Sequence, residues 1–253
     1  MDLGLKGKNA IITGGSKGIG KSIALALAAE GVNVAICARG KDALRDTENE
    51  LLKSGVQVYA SACDIAKPDD LGSFLKAAKG TFGSVEIFIH NASALALGPG
   101  QDDWTASLEV DLMAAVNACN QVIPWMTEKD GGSILLVSSI SGLECDPSPD
   151  FGYTAVKAAL ISYAKKLAVI HAKQGIRANA IAPGSIEFPG GVWANIKAGQ
   201  PDLYRNVQAS IPSGRLGTPE EVADVAVFLS SPRANWVTGE CVSIDGAQHR
   251  GMR

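Results

Sequence analysis

Tyr153 and Lys157 stand four residues apart near the start of a run, Phe151 to Lys173, that reads as a long helix, so their side chains share one face. A lysine ammonium beside a phenol stabilises the phenolate and makes the hydroxyl a better acid. Such a phenol can hand a proton to a carbonyl oxygen as hydride arrives at carbon, or take one from an alcohol in reverse. Ser139 follows the apolar run Ile134 to Val137, which reads as a strand. It therefore lies at the carboxyl edge of a sheet, where open α/β sheets bind ligands. From there its hydroxyl can hold the reacting oxygen beside the phenol. Ser138 and Ser141 are close enough to compete, and counting from the start of the strand selects Ser139. Taken alone, a Tyr and a Lys at this spacing mean little, because chance pairs on helices are common.

A second group of residues binds rather than reacts. Thr13-Gly14-Gly15-Ser16-Lys17-Gly18-Ile19-Gly20 lies between a short β-branched apolar run and a helical one. Glycines there let the backbone turn sharply and approach a pyrophosphate, whose charge is met by free N–H groups at the helix N-terminus. The spacing G-x-x-x-G-x-G differs from the commoner G-x-G-x-x-G, and the flanking strand and helix are what lift it above an ordinary tight turn. The next strand ends Ile36-Cys37-Ala38-Arg39. A carboxylate at that point would bond the ribose hydroxyls and repel a 2′-phosphate. This chain has none, and Arg39 offers a fork of donors suited to phosphate, with Lys17 as a second cation. NADP(H) is therefore expected in preference to NAD(H).

These residues need a scaffold, and the hydrophobic pattern supplies one. Short apolar runs at Asn9–Thr13, Val32–Ala38, Val56–Ala62, Val85–His90, Ser133–Ser138, Ile176–Ala182 and Cys241–Ile244 read as strands. Between them, Ile19–Glu30, Lys41–Lys53, Pro68–Phe82, Asp102–Met126, Phe151–Lys173 and Pro219–Leu229 read as helices. Alternation of this kind predicts a single α/β domain over residues 1–253, a Rossmann-type doubly wound parallel sheet of about seven strands flanked by helices. The stretch Pro183 to Pro212, rich in Gly and Pro, is too long for an ordinary connection and is expected to be an irregular substrate-binding loop.

Composition narrows the classes. The 253 residues are 46% hydrophobic and 19% charged with a formal net charge of −3, which suits a large core and disfavours nucleic acid or an anionic membrane as partner. No stretch is apolar enough to span a bilayer, and Met1 to Lys8 lacks the layout of a secretory signal. Five scattered cysteines argue against a disulfide framework and for a reducing compartment, so the protein is expected to be cytoplasmic. Three isolated histidines, His90, His171 and His249, show no metal spacing and are expected to be structural or superficial, with no metal site.

Jointly, these motifs resemble the short-chain dehydrogenase/reductase family from Leu5 to Ala247. Further matches are Asp64-Ile65 after the third strand, Asn91-Ala92 after the fourth, Pro183-Gly184 after the sixth, and the tail motifs Thr218-Pro219-Glu220-Glu221, Thr238-Gly239 and Asp245-Gly246. The resemblance implies that Tyr153 is the general acid/base, that Ser139 orients the substrate oxygen, and that Lys157 binds the nicotinamide ribose. It implies that Gly14, Ser16, Lys17, Gly18, Ile19, Gly20, Arg39, Asp64, Ile65, Asn91, Ala92, Pro183, Gly184 and Ile186 line the dinucleotide, with Ile186 presenting backbone to the carboxamide. A homotetramer built through the helices at Asp102–Met126 and Phe151–Lys173 is likewise implied.

The chain departs from the family pattern in four places. Asp111 replaces the Asn that is the family's fourth catalytic residue; a carboxylate favours protonated Lys157, and a shifted pH profile is expected. His90 and Ser93 replace Asn and Gly around Asn91-Ala92, Phe188 stands where many relatives carry Thr, and Ala247 where Gly is frequent. The last is expected to be minor. The substrate pocket is expected to draw on Ser93, Leu95, Leu143, Glu144, Cys145, Phe151, Phe188, Trp193 and Ile196, a largely apolar set suited to a medium-sized ketone or secondary alcohol. The competing readings are an NADP(H)-binding regulatory protein without turnover, an NAD(H)-dependent alcohol dehydrogenase, a carbon–carbon double-bond reductase, whose Tyr and Lys are usually further apart, and an extended-branch epimerase or dehydratase.

Overall fold

The strands are apolar at successive positions, so each has two faces to bury, and a sheet covered on both sides satisfies them. The computed structural model, which describes residues 2–251, has that architecture; Met1, Met252 and Arg253 of the expected 1–253 unit lie outside the described residues. Strands β1 (Asn9–Thr13), β2 (Asn33–Ala38), β3 (Val58–Ala62), β4 (Ile87–His90), β5 (Gly132–Val137), β6 (Ile176–Pro183) and β7 (Cys241–Ile244) form one sheet in the order β3-β2-β1-β4-β5-β6-β7. Every neighbouring pair is parallel.

Ile11, Phe88, Ile134 and Leu136 point to one side, where they pack on α3 (Pro68–Phe82), α5 (Ala114–Thr127) and α6 (Phe151–His171). Ala10, Ile12, Ile87, Ile89, Leu135 and Val137 point to the other, against α1 (Gly18–Ala29) and α9 (Pro219–Ser230). Helix α2 (Lys41–Leu52) covers the sheet near β2 and β3. Helix α9 is opened by a capping box in which Thr218 and Glu221 each bond the other's backbone, with Pro219 at the first turn.

Strand order reverses between β1 and β4, and the crevice at their carboxyl ends is where a doubly wound sheet accepts a ligand. The loops after β1 and β4 meet there.

One expectation is refined and one corrected. The predicted helix Asp102–Met126 is continuous but holds a π-helical turn (Ser107–Met113) between α4 (Gln101–Ala106) and α5. The wider turn brings both Ser107 and Asp111 to the buried side, and π-turns of this kind recur at functional sites. The expected irregular loop after Pro183 instead holds α7 (Val192–Gly199) and α8 (Pro201–Ser210), a pair packed on its own small core of Tyr204, Ile211 and Leu216. Gly and Pro there mark helix ends: Gly191 precedes α7 and Pro201 opens α8.

Candidate active site

A cleft of about 760 Å³ runs along the carboxyl edge of the sheet. Its floor at one end is the glycine turn. Gly14 has φ +70°, and a Cβ there would stand 2.8 Å from the Ala92 backbone. Gly18 has φ +54°, and a Cβ there would meet the Phe188 ring at 2.5 Å. Both conformations suit glycine alone. Helix α1 begins with no side-chain cap and no acidic residue in its first turn, leaving its N–H groups and positive dipole end to an anion. Asn91 locks the turn across the switch point, its amide donating to the carbonyls of Thr13 (3.3 Å) and Gly14 (3.0 Å). A bare turn with uncapped N–H groups fits a pyrophosphate, so these residues suit a dinucleotide.

Ser16, Lys17, Ile19, Arg39, Asp64 and Ile65 line this end of the cleft. Lys17 and Arg39 are exposed, and neither is in an ion pair among the described residues. Asn91, Ala92, Pro183, Gly184 and Ile186 also line it. Gly20 does not: it is buried behind the turn, where a Cβ would meet the Gly14 carbonyl at 2.2 Å. Cys37 and Cys63 lie in the wall as thiols, hydrogen-bonded to one another. That bond and then burial hold the Cys37 thiol well above its ordinary pKa.

Further along, β5 delivers Ser138 and Ser139 and α6 delivers Tyr153 and Lys157 to the same stretch of cleft. The three candidate serines separate by their bonds. Ser138 is buried and donates to the Lys157 carbonyl at 2.7 Å, a structural tie. Ser139 accepts from the Ser141 N–H at 3.1 Å and donates to its hydroxyl at 3.3 Å, contacts that a substrate oxygen can exchange with.

Lys157 is buried one turn from Tyr153, its Nζ 5.3 Å from the centre of the phenol ring. Nζ donates to the Val137 carbonyl at 3.1 Å and pairs with Asp111 Oδ1 at 3.0 Å, with 3% and 0% of the two side chains exposed. The other Asp111 oxygen accepts from the Ala94 N–H at 2.9 Å, tying the β4 loop to the pair. Burial pushes the Lys157 pKa down, but the charge of Asp111, then that of Tyr153 and the hydrogen bond to Asp111, outweigh it. The net direction is upward. Asp111 thus opposes the burial that disfavours the ammonium.

His90, expected to be structural or superficial, is fully buried beside this pair. Burial, then the Lys157 charge, push its pKa down to about 4 against the pull of Asp111.

The substrate half of the cleft is bounded by Ser93, Leu95, Phe188, Trp193 and Ile196, as expected, and by Leu97, Val192, Leu203 and Val207, which sequence reasoning missed. Leu143, Glu144, Cys145 and Phe151 do not line it. Phe151 is 58% exposed, and Glu144 accepts from the Arg250 backbone instead. Asp146, Ser148 and Asp150, just before α6, also line the cleft. So does Gln248, which accepts from the Ser185 N–H and donates to its hydroxyl. The tail returns over the site through Ala247 at φ +66°, so the Gly-to-Ala departure there is a strained one, a correction to its expected unimportance. Among the described residues lining the cleft the cations are Lys17, Arg39 and Lys157.

A nucleotide groove at the switch point, opening beside a Ser, a Tyr and a Lys one turn on, defines a class of oxidoreductase, and comparison with known proteins agrees. The family model described as enoyl-(acyl carrier protein) reductase matches residues 14–249. Isoepoxydon dehydrogenase of Penicillium expansum is 33% identical over 259 residues, covering all of this chain and 99% of that protein. L-sorbose reductase from Gluconobacter frateurii, solved with NADPH and L-sorbose, superposes with a TM-score of 0.89 at 32% identity over the full length of both chains. A 7α-hydroxysteroid dehydrogenase, solved with NADH and 7-oxo glycochenodeoxycholic acid, gives 0.91 at 30% identity over 97% of this chain and 96% of that one. The chain belongs to the short-chain dehydrogenase/reductase family and is an oxidoreductase acting on CH–OH and C=O groups. No helix among the described residues is long and apolar enough to cross a membrane.

Proposed function

We propose that the chain is an NADP(H)-dependent reductase of neutral, medium-sized ketones, working also in reverse on the secondary alcohols. The observation that carries this is the meeting of Ser139, Tyr153 and Lys157 on one stretch of a cleft whose other end is the uncapped glycine turn. The bound dinucleotide supplies hydride. Tyr153 gives its phenolic proton to the carbonyl oxygen, or takes one from the alcohol, while the Ser139 hydroxyl holds that oxygen. Lys157, its charge favoured by Asp111, stabilises the phenolate and holds the ribose; Asp111 is the fourth member of the set. Gly14, Ser16, Lys17, Ile19, Asn91, Ala92, Pro183, Gly184 and Ile186 would line the dinucleotide, with Asp64 and Ile65 toward its adenine end, while Gly18 and Gly20 would act by letting the turn close.

Preference for NADP(H) over NAD(H) is supported by two unpaired cations, Lys17 and Arg39, and by the lack of a carboxylate at the end of β2. The relatives divide, one solved with NADPH and one with NADH. Neutral substrates are supported by a substrate half with two carboxylates and no free cation, which repels phosphates and acids. The α7–α8 segment within residues 183–212 forms its apolar wall. The family-model description names a double-bond reductase, but a Tyr and Lys one turn apart with a serine at the β5 end favour the carbonyl. A cytoplasmic homotetramer completes the reading.

The test is a panel of ketones and secondary alcohols with NADPH or NADP, followed by absorbance of the reduced ring. Tyr153→Phe is expected to lose about 10²–10⁴-fold in kcat while keeping its affinity for NADPH. Undiminished turnover would refute the assignment. NADPH binding with no turnover of any carbonyl would favour a regulatory protein.

A further inference from the structure

His90 sits at the centre of the molecule with one nitrogen engaged and one aimed at the catalytic machinery. The Thr13 hydroxyl accepts from the N–H groups of Asn91 (3.2 Å) and Ala92 (3.3 Å). With both lone pairs taken, its own proton has one place to go, His90 Nδ1 at 3.1 Å. Nδ1 is therefore the acceptor, and the proton of the neutral ring sits on Nε2. That nitrogen is fully buried and faces the backbone of Asp111 and Val110 without closing a hydrogen bond of ordinary geometry. Those two residues belong to the π-helical turn, which holds Asp111 against Lys157 and packs against α6.

We propose that His90 is a positioning residue of the active site. As the Nε2–H tautomer it holds the Asn91–Ala92 turn of the cofactor groove through Thr13 and turns its remaining buried N–H edge toward the π-turn that carries Asp111. The charged groups facing the ring are Lys157 from α6 and Asp111 from the π-turn. Buried beside that ammonium, the ring stays neutral through the working pH range. It adds no third charge to the pair and keeps one tautomer between the two loops. The inference rests on the reading that Tyr153 and Lys157 carry the reaction.

The first test needs no activity. In ¹⁵N–¹H spectra of histidine-labelled protein, His90 is expected as the Nε2–H tautomer with no change between about pH 5.5 and 8; a Nδ1–H tautomer or an imidazolium overturns the proposal. The second uses His90→Leu and His90→Asn, with NADPH affinity read by fluorescence of the reduced ring and folding by Tm. Leu removes the bond to Thr13 and the polar edge that faces the π-turn, and is expected to weaken NADPH binding and lower kcat about tenfold. Asn keeps a partner for Thr13 and is expected to restore the affinity but not kcat. In the double variant with Asp111→Asn, the two kcat losses are expected to be less than additive, because both act on one pair. Wild-type kcat and pH profile in both single variants, with only Tm lowered, or additive losses in the double variant, would show a merely structural histidine. If Tyr153→Phe retains turnover, the catalytic reading has failed instead, and the tautomer experiment still decides the role of His90.

Discussion

Asp111→Asn swaps the carboxylate of a fully buried pair for an amide of the same shape. Two unit charges 3.0 Å apart attract by about 5 kcal/mol at an effective dielectric of about 20. Removing one partner of such a pair costs about 3–5 kcal/mol, because the remaining charge stays desolvated. In a chain of this size that lowers Tm by about 10 °C. The pH dependence follows from Lys157. In the wild type its pKa is raised, so its contribution is fully present below the ordinary lysine value and is lost only above it. Without Asp111, burial, the largest influence, is opposed only by Tyr153 and is expected to carry the folded-state pKa below the ordinary value. Between that lowered midpoint and the unfolded value, the unfolded chain binds the proton and the folded chain does not, so the stability of the variant rises with pH. The Tm gap between variant and wild type, measured by calorimetry, is therefore widest near pH 7 and narrows toward about pH 10. The pH–rate curve of the variant gains a falling basic limb, where Lys157 loses the charge that supports the phenolate. A pH-independent Tm gap together with an unmoved pH–rate curve would refute the reasoning.

Arg39→Asp is expected to cost about 10–100-fold in kcat/KM with NADPH, one charge-assisted bond, and to leave or improve the value with NADH; equal losses with both would remove Arg39 from cofactor choice. Because His90 titrates at about 4 in the folded chain and at 6.5 ordinarily, the unfolded state takes its proton first. Stability should then fall by about 3 kcal/mol as pH drops through that window, and His90→Asn should flatten the fall in urea titrations. Ala247→Gly relieves a left-handed alanine and should stabilise the chain by about 0.5–1 kcal/mol net of backbone entropy, read from the urea midpoint.

The sheet was legible because its signal is local. Each strand is a short apolar run and each helix an amphipathic one, so β7 (Cys241–Ile244) and α3 (Pro68–Phe82) have the bounds that their residues suggest. The reactive residues were legible for a related reason: a one-turn spacing on α6 and a position at the end of β5 are both short-range. What escaped depends on long-range encounters. The π-turn at Ser107–Met113 leaves the apolar spacing of the helix nearly intact, so nothing in the pattern announced it. Gln248 reaches Ser185 across 63 positions, and His90 meets Asp111 only once β4 lies beneath the turn. The helices α7 and α8 were hidden by the Gly and Pro that bound them, which together read as an irregular loop. Leu143 and Glu144 were placed in the pocket by sequence proximity to Ser139, but the chain turns away after the short 3₁₀ turn Ile140–Gly142.

Apart from Asp64, whose charge is offset by Lys67 at 3.9 Å, the charged residues toward the two tips of the cleft differ in sign: Lys17 and Arg39 at the glycine-turn end, Asp146 and Asp150 at the other. An elongated polyanion approaching this trough meets attraction at one tip and repulsion at the other, so it is aligned before it touches the floor. Reversed entry is penalised from a distance, and that guidance fades once added electrolyte shortens the reach of the field to about 3 Å at 1 M. The rate of capture should fall with ionic strength more steeply than the rate of escape, a kinetic signature written into the rim of the trough and separate from anything at Tyr153.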